Sequence, residues 1–396
     1  MKKNIKIAYF LSFLSELYFP ISVWLFYYLR FLDFKQIGVL TAVKLISSNL
    51  FEVPTGVFAD VFGRKKAIVI SFFLYGLVML GFANVSVFWM FIVLDVLKAL
   101  SNAFFSGSLE ALIYDSLKNE GKESQYDKVV ANMESMAWVG LFISAIGGGY
   151  LYYYWFRSPY IVQGGLYLVA AVIALRLVEP KIDSQKFKLS EAIKFNLVGF
   201  KELFANSKVS QLSTIFITLG AGYFIASEML GISQAKEYGM DSRGVGFLFG
   251  TGYIVSAIAS QFYPRLKRWL GVERLLLIAA GILLGSFLLA KWVGVVVGSL
   301  LIIGRISSST TFRNTRSSVI NGLVNSKSRA TTISTLVLLS QLPMALMAYF
   351  MGDYIDKNSP NSLAWVLGLV MIGLLVGQLI VFRRKGGLQY PPCIIG

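Results

Sequence analysis

Glu16, Lys44, Glu52, Asp95, Lys98, Glu110 and Arg305 all lie within long apolar stretches of this sequence. Ionisable groups are expensive inside a membrane, and where they occur there they mark ion or substrate pathways or pair with one another. Their types narrow the chemistry. The chain has no histidine and a single cysteine, Cys393. Histidine metal sites, histidine proton relays, Ser/His catalysis and internal disulfides are therefore excluded. A group that takes up and releases a proton near neutral pH must then be a carboxyl, whose pKa rises on burial. Glu16 is the first candidate, Asp95 the second and Glu110 the third, while Glu52 could instead serve a gate. Lys98 could pair with Asp95, and competition for that pair by a proton or a substrate would link binding to movement. The bland alternative is a set of static ion pairs that hold helices together. There is no nucleophile–base pair, metal cluster or phosphate-binding glycine loop, so neither an enzyme, nor a cofactor, nor direct drive by ATP is expected.

Spacing places these groups on helix faces. At about 100° per residue, Asp95, Asn102, Ser106 and Glu110 share one stripe with Lys98 beside it, while Asp115 points the other way. Tyr9, Ser12, Glu16 and Tyr27 share another face, with Pro20 predicted to bend its helix. Thr41, Lys44, Ser48 and Glu52 form a third stripe, and Arg305, Ser308, Ser309 and Arg316 a fourth. Such stripes predict a water-filled cavity between helices.

The elements that carry these faces must be membrane helices. Of 396 residues, 56% are hydrophobic and only 15% charged, where a soluble chain would carry about 25% charged residues. Mean hydropathy is +0.65. Apolar runs long enough to cross a bilayer recur along the chain and predict twelve spans, at 7–30, 36–58, 66–84, 87–114, 128–154, 158–178, 209–232, 243–264, 273–292, 294–320, 327–352 and 362–382. The opening Met1-Lys2-Lys3 resembles a secretory signal, but the run behind it is long and lacks a small-x-small cleavage site, so it is read as an uncleaved span.

The net charge of +16 follows membrane orientation. Of the 37 Lys and Arg, 26 fall on the N-terminal side of the predicted spans and 7 on the opposite side, which puts both termini in the cytoplasm and makes the span number even. No zinc-finger, helix-turn-helix or basic-zipper spacing occurs, so no nucleic-acid partner is expected. The chain divides into an N-terminal six-helix bundle at 1–178, a linker at 179–208, a C-terminal six-helix bundle at 209–385 and a cytoplasmic tail at 386–396. Within the linker, Leu189, Ile193, Leu197, Phe200 and Phe204 recur at helical spacing and predict an amphipathic helix on the inner membrane surface.

Between the second and third spans the sequence reads Gly56-Val-Phe-Ala-Asp60-Val-Phe-Gly63-Arg64-Lys65-Lys66. This resembles the signature loop of the major facilitator superfamily, G-x-x-x-D-x-x-G-R-K/R, in the short cytoplasmic loop where that family carries it. Glu52-Val-Pro54-Thr55 resembles a backward extension found in a bacterial, exporter-like subgroup. In residue terms, Gly56 is expected to let two helices approach closely and Gly63 to permit a tight turn. Asp60 and Arg64 are expected to pair. The resemblance implies an inner gate that includes Asp60, Arg64 and Asp115. Leu94-Asp-Val-Leu-Lys98 resembles a second family motif, with Lys in the basic position. Gly140-Leu-Phe-Ile-Ser144-Ala145-Ile-Gly147-Gly148-Gly149 resembles the antiporter motif, with Ser144 and Ala145 replacing a Gly and the Pro; a helix-packing role for Gly140, Gly147, Gly148 and Gly149 fits equally well. The loop at 265–273 keeps basic charge and Gly271 but lacks the Asp, so a weaker gate is expected there.

The resemblance implies an all-α membrane protein with the major facilitator fold. It also implies a secondary active transporter in the inner membrane, working by alternating access as a monomer on a small-molecule substrate. The partial antiporter motif and the acidic groups favour proton-coupled export of a lipophilic or amphipathic compound. The mixed charges Lys44, Lys98 and Arg305 would instead suit an importer or facilitator of a polar nutrient. A transport-dead membrane receptor or enzyme is a remote alternative. Cys393-Ile-Ile-Gly396 has the form of a prenylation box, but a twelve-span chain needs no further anchor.

Overall fold

The computed structural model describes residues 2–180, 199–324 and 329–384. The interfacial helix expected in the linker falls mostly outside them, with only residues 199–203 seen as helix; Cys393 and the 386–396 tail also lie outside. Among the described residues every regular element is helical. Among the described residues, nine helices are long and apolar enough to cross a membrane. One of these, Ser242–Leu288, is two helices run together across Gly271, where φ of 75° and ψ of 164° interrupt helical geometry. The shorter apolar helix Ser158–Ala174 and a broken first span complete the expected twelve. The chain forms two compact units, Met1–Glu191 with Ser242–Gly250, and Ala192–Asp241 with Thr251–Gly396. The start of the eighth span thus groups with the first unit.

In the first unit the opening span is not one helix. Lys2–Glu16 ends at the glutamate, a 3-10 turn covers Phe19–Ser22 with Pro20 in its first turn, and Trp24–Tyr28 resumes. The freed backbone groups find partners, as they must inside a bilayer. Phe19 N–H donates to Gln163 Oε1 at 2.9 Å and Ser22 Oγ donates to the Ala145 carbonyl at 2.7 Å. The fifth span, Tyr126–Tyr154, presses against this break through its glycines. A Cβ on Gly140 would lie 2.6 Å from the Phe13 carbonyl oxygen, and one on Gly148 would collide with the carbonyl of Phe19. Gly147 faces the Phe19 ring, and Gly149 lies under the Ser242 carbonyl. Small residues let backbones meet where lipid supplies no hydrophobic drive.

The second span, Phe34–Phe62, starts at Asp33, whose side chain accepts from Gln36 N–H in a reciprocal capping box. It ends at Gly63, where φ is 105°, and Arg64–Asn84 begins at once. The fourth span was expected as one helix over 87–114. It is two, Phe88–Phe105 and Ser108–Lys118, broken at Gly107 with φ of 69°. In the second unit, Asn206 caps the seventh span by accepting from Val209 N–H at 2.9 Å. This span runs as Ser207–Ile225, a π-helical turn Ala226–Leu230, and Gly231–Glu237. π-turns are rare and concentrate at functional sites. Glu228 sits in the turn, well inside a span that extends to Glu237.

Candidate functional site

The signature loop forms a compact ionic cluster at one end of the first unit. Asp60 lies on the last turn of its helix and Arg64 on the first turn of the next, 4.0 Å apart across Gly63. The Arg64 guanidinium also pairs with Asp115, which the helix Ser108–Lys118 presents. Only 17% of the Arg64 side chain and 19% of Asp115 is exposed, against 41% for Asp60. Arg64 is therefore held between two carboxylates in a partly dry setting, where charge-assisted bonds are strongest. The sequence-predicted trio does come together.

Two further residues, Glu179 and Asn4, fix this cluster and have no counterpart among the residues singled out from the sequence. The Glu179 carboxylate accepts from the backbone N–H of Arg64 at 2.9 Å and of Lys65 at 2.8 Å. It thereby satisfies orphan donors at a helix start and places a negative charge at the positive end of the helix dipole. Asn4 is buried; its side chain donates to Ser116 Oγ at 3.0 Å and the Val178 carbonyl at 2.8 Å, and accepts from Val178 N–H at 2.9 Å. The signal that could have found Glu179 is an acid immediately after a span, on the side of the basic loop. Gly56 departs from expectation. A Cβ there would meet nothing within 4 Å, because its face of the helix is open, so close helix approach is not its role in this structure. Glu52 is exposed two turns before Asp60, and the cluster forms without it.

Deeper in the first unit, the break in the first span organises the polar groups. Glu16 is half-buried at the end of its helix. Lys98 Nζ donates to Tyr18 Oη at 2.9 Å, within the break. Tyr18 meets Tyr75 edge to face, Tyr75 packs on Tyr167, and Tyr167 Oη donates to the Ser15 carbonyl at 2.6 Å. Asp95 is buried, and Tyr28 Oη approaches it at 3.5 Å. Lys98, expected to pair with Asp95, donates instead to Tyr18, freed from the helix, and Asp95 has a further interaction partner of its own. Asn102, Ser106 and Glu110 are exposed. Glu110 also drops out of the predicted stripe, since Gly107 resets the helical phase before it. Lys44 is half-buried and has an interaction partner.

The second unit holds a different arrangement. Arg305 is buried at 3% exposure, its Nη1 donating to Gln234 Oε1 at 2.9 Å and its guanidinium 5.5 Å from the Phe287 ring centre. Gln234 Nε2 donates to Asn361 Oδ1 at 3.2 Å, and Asn361 N–H donates to Glu237 Oε2 at 2.8 Å. Arg305 Nη2 has no hydrogen-bond acceptor among the described residues. Nearby, Tyr223 Oη bridges Ser308 Oγ and the Ala279 carbonyl at 2.9 and 2.8 Å. No cluster of three or more His, Cys, Asp or Glu able to hold a metal is present among the described residues.

Comparison with known proteins gives these features a context. The family model of the Major Facilitator Superfamily matches residues 6–346. The chain is 26% identical over 256 residues to the uncharacterized MFS-type transporter YxaM of Bacillus subtilis, a match covering 62% of each chain. It is 24% identical over 353 residues to the uncharacterized MFS-type transporter MJ1560 of Methanocaldococcus jannaschii, covering 87% of this chain and 83% of that one. Multidrug resistance protein 1 of Bacillus subtilis is 25% identical over 240 residues, or 59% of each chain. Among solved structures, the nucleoside transporter NupG superposes with a TM-score of 0.78 at 13% identity, covering 96% of this chain and 98% of that one. A bacterial homologue of the lysosomal transporter Spinster, in an inward-facing and occupied conformation, gives 0.65 at 16% identity over 98% and 97%. These likenesses establish the fold as that of a twelve-span transporter in two six-helix bundles.

Proposed function

The chain belongs to the Major Facilitator Superfamily, and on that premise we propose that it is a secondary active transporter that exports a lipophilic or amphipathic small molecule in exchange for protons. The observation that carries this reading is the Arg64 cluster: one guanidinium shared between Asp60 and Asp115 at the junction of two spans. Such a junction holds while the ion pairs are made and lets go when they are not. It acts as a latch on one mouth of the pathway, on the cytoplasmic side given the distribution of basic residues. Glu16 and Asp95 are the coupling carboxyls. Glu16 ends a broken helix, where unwound backbone inside a span accompanies ion and substrate sites in transporters. Asp95 is the more deeply buried of the two. Export is favoured by the likeness to Multidrug resistance protein 1 and by the glycine run of the fifth span.

Everted membrane vesicles with an imposed proton gradient test this reading against a panel of lipophilic cations and amphipathic anions. At least one compound should dissipate the gradient in the wild type and fail to do so with Glu16→Gln or Asp95→Asn. If no compound moves protons in folded protein, or both variants keep full coupling, the reading fails. A second reading rests on Arg305, whose buried guanidinium has, among the described residues, only a neutral side chain as hydrogen-bond partner. That would suit uptake of a polar or acidic nutrient, and accumulation in intact cells would favour it.

A further inference from the structure

We propose that the crevice between the loop-facing ends of the first and sixth spans binds the phosphate headgroup of an anionic membrane phospholipid. The crevice has a volume of 410 Å³ and is lined by Lys3, Lys6 and Ile7 from the first span and Arg176 from the sixth. That volume is in the range of built small-molecule sites. Three cations converge on it, and none of them has a carboxylate partner among the described residues. Like charges gathered around one space repel unless an anion joins them. The acid closest in sequence to Arg176, Glu179, is occupied by the amides of Arg64 and Lys65.

The surroundings select a lipid over a soluble anion. One turn beyond Lys6 along the first span, Phe10 is 47% exposed, and on the sixth span Val172 and Leu175 are exposed as well. Basic groups at the helix ends are thus followed, moving into the span, by bare apolar side chains, the order of headgroup and acyl chain in a phospholipid. Basic pockets between spans on the cytoplasmic side are suited to anionic headgroups. The site also borders the latch. Val178, two residues from Arg176, is gripped by Asn4, which follows Lys3, and Glu179 holds the start of the Arg64 helix. A headgroup bridging Lys3, Lys6 and Arg176 would tie together the two helix ends on which that helix start depends.

The full chain in neutral detergent can be titrated with phosphatidylglycerol and with phosphatidylcholine of the same acyl chains, reading bound lipid by native mass spectrometry. Phosphatidylglycerol should bind more tightly, and the triple variant Lys3→Gln, Lys6→Gln, Arg176→Gln should weaken it by about 100-fold, each surface cation contributing roughly fivefold. Equal affinity for the two lipids overturns the proposal, as does unchanged binding in the triple variant. Displacement of the lipid by millimolar inorganic phosphate would assign the site to a soluble anion instead and overturns the lipid reading. If the triple variant does not fold, the wild type still decides. Its preference for phosphatidylglycerol must fall steeply from low to near-molar salt, and a salt-independent preference would sink the idea.

Discussion

Two tight turns, one in each unit, take similar backbone paths and differ in the side chains that hold them. Gly63 joins the second and third spans with φ of 105° and ψ of 141°. Gly271 joins the eighth and ninth with φ of 75° and ψ of 164°. Around Gly63 stand Asp60, Asp115 and Glu179, all engaged with Arg64 or its amide. Around Gly271, Lys267 Nζ donates to Ser318 Oγ at 2.6 Å and Arg265 lies over the Phe262 ring. Among the described residues no carboxylate is seen bonded across the second turn, although Glu273 lies two residues beyond its glycine. Glycine and basic charge are common to both turns, and the engaged acids distinguish the first. That difference is the ground on which the proposed latch is assigned to the first unit.

The sharpest way to break this comparison is to add a methyl group to each turn. Both glycines occupy backbone that other residues adopt only at a cost of about 1–3 kcal/mol. At Gly271 a Cβ would meet nothing within 4 Å, whereas at Gly63 it would lie 2.9 Å from the Glu179 carboxylate. Gly63→Ala should therefore also lose the two amide bonds to Glu179, at about 1 kcal/mol. Denaturant unfolding in detergent should give a loss of about 3 kcal/mol for Gly63→Ala and about 2 kcal/mol for Gly271→Ala. Equal losses would mean that Glu179 moves aside freely and holds nothing.

A smaller effect distinguishes the pairs themselves. A double-mutant cycle on Arg64→Ala and Asp115→Ala should return a coupling of about 1–2 kcal/mol, as expected for a largely buried charged pair. The matching cycle on Lys267→Ala and Ser318→Ala should return less than about 0.5 kcal/mol. Transport should follow the same order, with Arg64→Ala lowering vesicle flux by about tenfold or more if 1.4 kcal/mol of latch energy is lost. A coupling in the second unit as large as the first would erase the asymmetry.

The same contrast separates what could be read from the sequence from what could not. The helical class and the number of spans were legible because each depends on local runs: about 20 apolar residues per crossing. The Asp60–Arg64 contact was legible because the two residues lie only four positions apart, across one glycine. Pro20 marked a bend in the first span, but the extent of that break and the whole break in the fourth span were not legible, because an apolar window averages across them. The first span keeps its hydropathy through Leu17–Ser22, and the fourth through Ser106–Gly107, while the helix stops. Each break then redirected a side chain, Tyr18 capturing Lys98 and Glu110 losing the Asp95 face. The π-turn at Ala226–Leu230 adds one residue to a helical turn and leaves composition untouched. Glu179 lies 115 residues from Arg64, and no local pattern joins them.

Glu179 supplies the finest test, because its two bonds can be weakened in steps. The carboxylate offers one oxygen to each of two amides, Oε1 to Arg64 and Oε2 to Lys65, in an exposed setting where screening limits the energy. Glu179→Ala should cost about 1 kcal/mol, the usual worth of a lost helix cap. Glu179→Gln keeps one acceptor but not the charge at the helix start, so it should cost about 0.5 kcal/mol, with most of that loss vanishing at high salt. If Glu179 acts through the latch, the Arg64–Asp115 coupling should shrink in the Glu179→Ala background, since the guanidinium hangs from the turn that the carboxylate fixes. An undiminished coupling there would show that Arg64 finds Asp115 unaided and confine Glu179 to capping a helix.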